Sequence, residues 1–129
     1  MDRKYLLDAS ALLALIHNEP GADQVLAVID DCWIHAVNLA EVVRKLVNTG
    51  KPVDEVIAYL DALDIEVFED LSVQQIYALA KLAPEAKRLG LSLGDSVCLM
   101  IAGWLEVTAV TADRCWSDGV FNVLILQIR

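Results

Sequence analysis

No hydrophobic run in this chain is long enough to span a bilayer, no CxxC pair occurs, and no Gly/Ser-rich linker or low-complexity tract interrupts it. The longest apolar stretch, 97–105, is broken by Gly103 and closed by Glu106, well short of the roughly 20 residues that a membrane helix needs. Met1-Asp2-Arg3-Lys4 runs straight into a strand-like segment instead of an apolar leader core, so the expected setting is cytoplasmic, with no membrane partner. Cys32, Cys98 and Cys115 lie in or beside apolar runs. An odd number of cysteines so placed fits small buried thiols in a reducing compartment and argues against disulfides and zinc. Basic charge is also scarce: 10 Lys and Arg against 19 Asp and Glu leave a formal net charge of -9. Charge of that sign repels phosphate backbones and excludes a sequence-independent nucleic-acid coat protein. It leaves an enzyme that meets phosphate locally through a cation, or a protein whose acid is meant for a basic partner. Neither GxxxxGKS/T nor GxGxxG is present, which removes P-loop and dinucleotide-type nucleotide binding.

What is present is a chain of 129 residues, 57% hydrophobic, enough for a single domain over 1–129 with its own core. Its elements alternate. A short strand at 5–8 meets a helix at 10–17, ended by Asn18-Glu19-Pro20-Gly21, and a second helix fits 23–29. A strand at 32–37 precedes a helix that starts at Asn38, carries Leu39, Val42, Val43, Leu46 and Val47 at helical spacing, and stops at Gly50. Pro52 opens another helix to about 63, followed by a strand at 65–68 and a helical stretch from Ser72 that Pro84 is expected to kink or divide. Ser92 caps the next helix, ending near 105, and 107–112 and 123–128 are β-rich. Strands separated by helices imply an α/β three-layer sandwich, with a central parallel sheet of four to five strands flanked by helices. The helical surplus between Pro52 and Gly90 is expected to project as an arm.

Most acids sit on polar helix faces, where solvation accounts for them. Four occupy another kind of place: Asp8 ends the first strand, Glu41 follows Asn38 by three, Asp95 follows Ser92 by three, and Asp113 ends the fourth strand. Each has a purely structural explanation. Asn38-x-x-Glu41 and Ser92-x-x-Asp95 read as capping boxes, Glu41 can pair with Lys45 one turn on, Asp8 can be an N-cap, and Asp113 can belong to an Asx-turn. In a parallel sheet, however, every strand ends and every following helix begins along one edge, which is where such folds bind ligands. Capping therefore predicts convergence. Clustered carboxylates repel one another unless a cation intervenes, and an oxygen-only donor set suits Mg²⁺ or Mn²⁺. The chemistry such a site serves is phosphoryl hydrolysis.

The stretches YLLDASALLALI, AVNLAEVVRKL, LSLGDSVCLMIA and VTAVTADRCW resemble, in order and spacing, the four signature segments of PIN-domain ribonucleases, specifically the VapC-type toxins of bacterial toxin–antitoxin pairs. That resemblance implies a divalent-metal-dependent endoribonuclease whose ions are held by Asp8, Glu41, Asp95 and Asp113, with RNA as substrate. It implies Ser10 and Thr111 as supporting polar groups and Asn38 as the residue that orients Glu41; cap and turn roles stand equally open for these three. It also implies an antitoxin whose basic tail wraps the helical arm, on a groove drawn from Tyr59, Leu60, Leu63, Ile76, Tyr77 and Leu79, unless those residues simply pack on one another. A homodimer is expected as well.

Other residues are weaker candidates. Asp118, in WSDG, reads as a turn residue or a fifth, outer acid. Arg114, Arg44, Lys87 and Arg88 are equally phosphate contacts or surface charge, His17 and His35 are isolated, and Trp33, Trp104 and Trp116 read as core. Two rival functions remain open. A PIN-like module that binds without cutting would keep the fold but not the activity. A phospho-receiver domain needs a late lysine, and none follows Lys87.

Overall fold

Side chains alternate along a strand, so adjacent apolar residues that are both buried place the strand between two cores. Leu6 and Leu7 are such a pair. Leu7 packs with Leu12, Ile34, Val42, Leu46 and Val110, whereas Leu6 packs with Val97, Leu99, Ile101, Ala109 and Trp116. The computed structural model describes residues 3–129 and runs β1 (Tyr5–Leu7), α1 (Ala9–Ile16), α2 (Ala22–Val28), β2 (Cys32–His35), α3 (Ala36–Asn48), α4 (Val53–Leu63), β3 (Glu66–Phe68), α5 (Val73–Leu89), α6 (Leu93–Leu105), β4 (Thr108–Thr111) and β5 (Ile125–Gln127). Short 3₁₀ turns lie at Ile29–Asp31 and Arg114–Asp118.

The five strands form one parallel sheet in the order β3-β2-β1-β4-β5, with Leu7 paired to Ile34 on one side and Val110 on the other. The chain thus starts at the centre and builds outwards, reversing direction between β1 and β4. Outside the carboxyl ends of those two strands lies the crevice where open α/β sheets take ligands. Phospho-receiver domains order their strands 2-1-3-4-5, so this topology removes that rival. Among the described residues, no helix is long and apolar enough to cross a membrane.

Several sequence expectations need correction. Helix α3 starts at Ala36 rather than Asn38, because His35 caps it: its Nδ1 accepts the Val37 N–H at 3.1 Å, and its Nε2 pairs with the Asp70 carbonyl at 2.8 Å. Pro84 does not divide α5. It removes only the bond to the Ala80 carbonyl, and both residues lie on the exposed face, where water satisfies that carbonyl. Nor do α4 and α5 project together as an arm. Val56, Leu60 and Leu63 of α4 pack into the Leu7 core, while Leu79 and Leu82 of α5 pack into the Leu6 core, so the residues expected to line one groove lie on opposite faces of the sheet. Trp104 is 53% exposed and Cys115 is exposed, not core; Trp116 is fully buried.

Candidate active site

Where β1 ends, the backbone stays extended at Asp8 and the side chain turns to cap α1, accepting the Ala11 N–H at 2.8 Å. The carboxylate also accepts Ser10 Oγ at 2.7 and 2.9 Å and Thr111 Oγ1 at 2.6 Å. Each hydroxyl gives its proton to Asp8 and uses a lone pair elsewhere: Ser10 accepts the Ala112 N–H at 2.9 Å, and Thr111 accepts the Asp113 N–H at 3.0 Å. Asp8 therefore ties the ends of β1 and β4 together. Burial pushes its carboxyl up to about 6, against the lowering effect of the Thr111, Ala11 and Ser10 bonds and with a smaller push from the charge of Asp95.

Glu41 lies in the second turn of α3, facing the start of α6. The two helices meet where Gly94 has no side chain, and a Cβ there would overlap the Glu41 carboxylate. Oxygen Oε1 of Glu41 is sealed in this contact with no hydrogen-bond partner. Burial raises the Glu41 pKa and the Asp95 charge raises it further, while Lys45 and Arg44 pull it down. Asn38 does not orient Glu41 through a capping box. Its Oδ1 accepts the Ala9 N–H at 3.3 Å and its Nδ2 donates to the Gly94 carbonyl at 3.4 Å, so one buried amide joins the starts of α1, α3 and α6.

Asp95 makes the capping box expected of it: Ser92 Oγ accepts the Asp95 N–H at 3.1 Å, and Asp95 Oδ2 accepts the Ser92 N–H at 2.9 Å. Asp113 caps the following 3₁₀ turn by accepting the Cys115 N–H at 2.9 Å. Arg114 is exposed beside it. Asp118 ends that turn, exposed, and its carbonyl accepts Arg88 at 3.0 Å. Asp8, Asp95 and Asp113 thus stand just after strands or in the first turn of a helix, as the sequence predicts, whereas Glu41 sits a turn further into α3 than its expected capping-box position because the helix starts at Ala36; Asp95 acts electrostatically on both Asp8 and Glu41. Among the described residues, no three acidic, His or Cys side chains close around one metal position. A hard divalent cation fits the chemistry of this donor set, which is all oxygen and includes the unpartnered Glu41 Oε1. Gly94 and the cap made by His35 were missed from sequence. A glycine one residue before Asp95, in an otherwise apolar helix, was the available signal for a close approach.

A family model described as PIN domain matches residues 5–119. No curated protein sequence matches the chain. Among solved structures, PAE2754 from Pyrobaculum aerophilum is 24% identical with a TM-score of 0.65, covering 97% of this chain and 90% of that one. VapBC2 from Rickettsia felis, bound to a DNA fragment from its promoter, is 17% identical with a TM-score of 0.73, covering 95% of this chain and 97% of that one. DNA-bound VapBC from Salmonella typhimurium is 15% identical with a TM-score of 0.70, covering 98% of each chain.

Proposed function

The chain belongs to the PIN-domain family, and from that premise we propose that it is a cytoplasmic, divalent-metal-dependent endoribonuclease, the toxin of a toxin–antitoxin pair. Asp8, Glu41, Asp95 and Asp113 would hold Mg²⁺ or Mn²⁺. The observation that carries this reading is the sealed, unpartnered Oε1 of Glu41, on a carboxyl that Asp95 crowds electrostatically. Leaving a buried acceptor unpaired costs about 1–3 kcal/mol, and a cation relieves both the missing partner and the repulsion. When bound, the metal supplies an activated water and offsets charge on the leaving oxygen.

The chain's own residues set the stage for that chemistry. Ser10 and Thr111 hold the Asp8 carboxylate at the crevice between β1 and β4, and Asn38 fixes the relative positions of the three helix starts that surround it. The toxin reading is supported by the VapBC complexes among the structural neighbours. We take the partner to be an antitoxin with a basic tail, suited to a net charge of -9, and the toxin to pair with a second copy of itself.

The test is RNA cleavage by the purified protein. Activity should require Mg²⁺ or Mn²⁺, stop with chelator, and fall by roughly 10²-fold or more in Asp8→Asn or Asp95→Asn. Cleavage that continues in excess EDTA would overturn the metal mechanism. RNA bound but never cut would leave a PIN-like binding module in its place.

A further inference from the structure

Asp8, Glu41, Asp95 and Asp113 come from four separate segments, and hydrogen bonds join most of these segments to one another. Thr111 and Ser10 tie Asp8 to the backbone on either side of the β4 end, next to Asp113. Asn38 ties the start of α1, just after Asp8, to Gly94, just before Asp95. Among the described residues, no hydrogen bond runs directly between α6 and the turn that follows Asp113. The two are nevertheless neighbours. The Cys115 thiol is pushed up by its bond to Asp113, by the Asp113 charge and, least of all, by the charge of Asp95, which puts Asp95 within electrostatic reach of the turn.

The missing link is made from α5. Arg88 donates to both carboxylate oxygens of Glu85, from Nε at 2.7 Å and from Nη2 at 2.8 Å. An ion pair one turn apart on a helix surface ordinarily contributes little. Here each partner also takes a backbone group of the turn: Arg88 Nη2 donates to the Asp118 carbonyl at 3.0 Å, and Glu85 Oε2 accepts the Val120 N–H at 2.7 Å. The Arg88 and Val120 bonds hold the Glu85 carboxyl at about 2 rather than 4.5, so the pair stays charged throughout the neutral range. Trp116, buried in the Leu6 core, pins the middle of the turn, and Arg88 and Glu85 hold its far end. The connection from α5 onward is short. Gly90 takes the left-handed conformation and the Leu91 N–H donates to the Ala86 carbonyl at 2.9 Å, a tight helix end. The chain then enters Ser92, whose N–H Asp95 accepts.

Building on the nuclease reading, we propose that Arg88 and Glu85 are positioning residues that fix Asp113 relative to Asp95, and so set the spacing of carboxylates that would share a divalent cation. They act through the turn, not on the metal or the substrate. Arg88, open from sequence to a role as phosphate contact or plain surface charge, is instead a clamp between two of the acids. Groups that hold metal ligands in place contribute about 10- to 100-fold in metal affinity or activity.

The experiment compares Arg88→Ala, Glu85→Ala and the charge-swapped double variant Glu85→Arg with Arg88→Glu. The swap remakes the ion pair but sets a donor against the Val120 N–H and an acceptor against the Asp118 carbonyl, which separates a mere ion pair from a clamp. In the metal-free proteins, hydrogen exchange of the Cys115 amide, which bonds to Asp113, should speed up by about tenfold in all three variants when followed by NMR. Melting temperatures should stay near the parent's, as for any surface pair. Mn²⁺ titrated calorimetrically should bind about tenfold more weakly or worse in each, and kcat for RNA cleavage should fall with KM little changed. Arg3→Ala, which breaks the pair with Glu66 at the amino end of the sheet, should change none of these. Unaltered exchange at Cys115, unaltered Mn²⁺ affinity, full recovery in the charge-swapped protein, or an equal effect of Arg3→Ala would each overturn the proposal. If the parent binds Mn²⁺ and cuts RNA and the variants match it, this inference alone fails. If the parent neither binds Mn²⁺ nor cuts RNA, the metal reading falls, and the role of Arg88 and Glu85 with it.

Discussion

Asp8 accepts bonds from one backbone amide and two hydroxyls, yet its carboxyl still titrates at about 6 rather than 3.8, because burial outweighs those bonds. The folded state therefore keeps a proton that the unfolded chain has already lost, and stability falls as pH rises through that interval. A shift of that size corresponds to about 3 kcal/mol. In EDTA, the free energy of urea unfolding should decline by that order between about pH 4 and pH 6, and Asp8→Asn should flatten the decline and raise the melting temperature at pH 7 by a few degrees. Asp95→Asn should raise it less, because the Asp95 charge is the smallest of the influences on Asp8. An Asp8→Asn protein less stable than its parent, with the same pH profile, would mean that the acceptor matters more than the buried charge. The cap positions of Asp8, Asp95 and Asp113 were legible, since strand ends and helix starts can be read from the pattern and a carboxylate there caps the following turn. The amide of Asn38 was not, because its two partners lie 29 and 56 residues away and no local spacing reveals them.

Between elements, the decisive contact is α3 against α6. Gly94 allows it, and the Glu41 carboxylate fills the space that a methyl would need. In Gly94→Ala the helix gains up to about 1 kcal/mol of intrinsic propensity, so the fold should survive, but Glu41 must move. Cleavage should then fall by on the order of 10²-fold, as expected for misplacement by about 1 Å, with a melting temperature close to the parent's. Full activity in that variant would show that the position of Glu41 is not critical. The order and type of the elements were readable because apolar spacing switches cleanly between strand and helix. Their ends were not. Strands buried on both faces lack the alternation that marks a boundary, and the histidine that caps α3 through Nδ1 pairs by its other ring nitrogen with the Asp70 carbonyl, a contact that only the folded chain makes.

At the scale of the molecule, the sheet is covered on both faces, but α5 still carries exposed apolar residues, with Val73 at 63% and Tyr77 at 73%. Tyr77→Asp should leave the isolated protein folded and weaken its complex with a basic-tailed antitoxin, measured by pull-down after co-expression, while on the toxin reading the unmutated protein expressed alone should arrest growth. Sedimentation should give twice the 14.2 kDa chain mass. A protein that neither slows growth nor binds such an antitoxin would end the toxin reading. The strand order has a further consequence for synthesis. The first strand made is the central one, and it waits for a neighbour that pairs Tyr5 with Thr108. Contacts so distant along the chain form slowly, because a long loop must close before they stabilise anything. A nascent chain that has emerged only as far as α6 carries Asp8, Glu41 and Asp95 but neither the hydroxyl of Thr111 nor Asp113. Under the nuclease reading, the full set of four acids thus exists only once β4 and the turn after it have emerged from the ribosome.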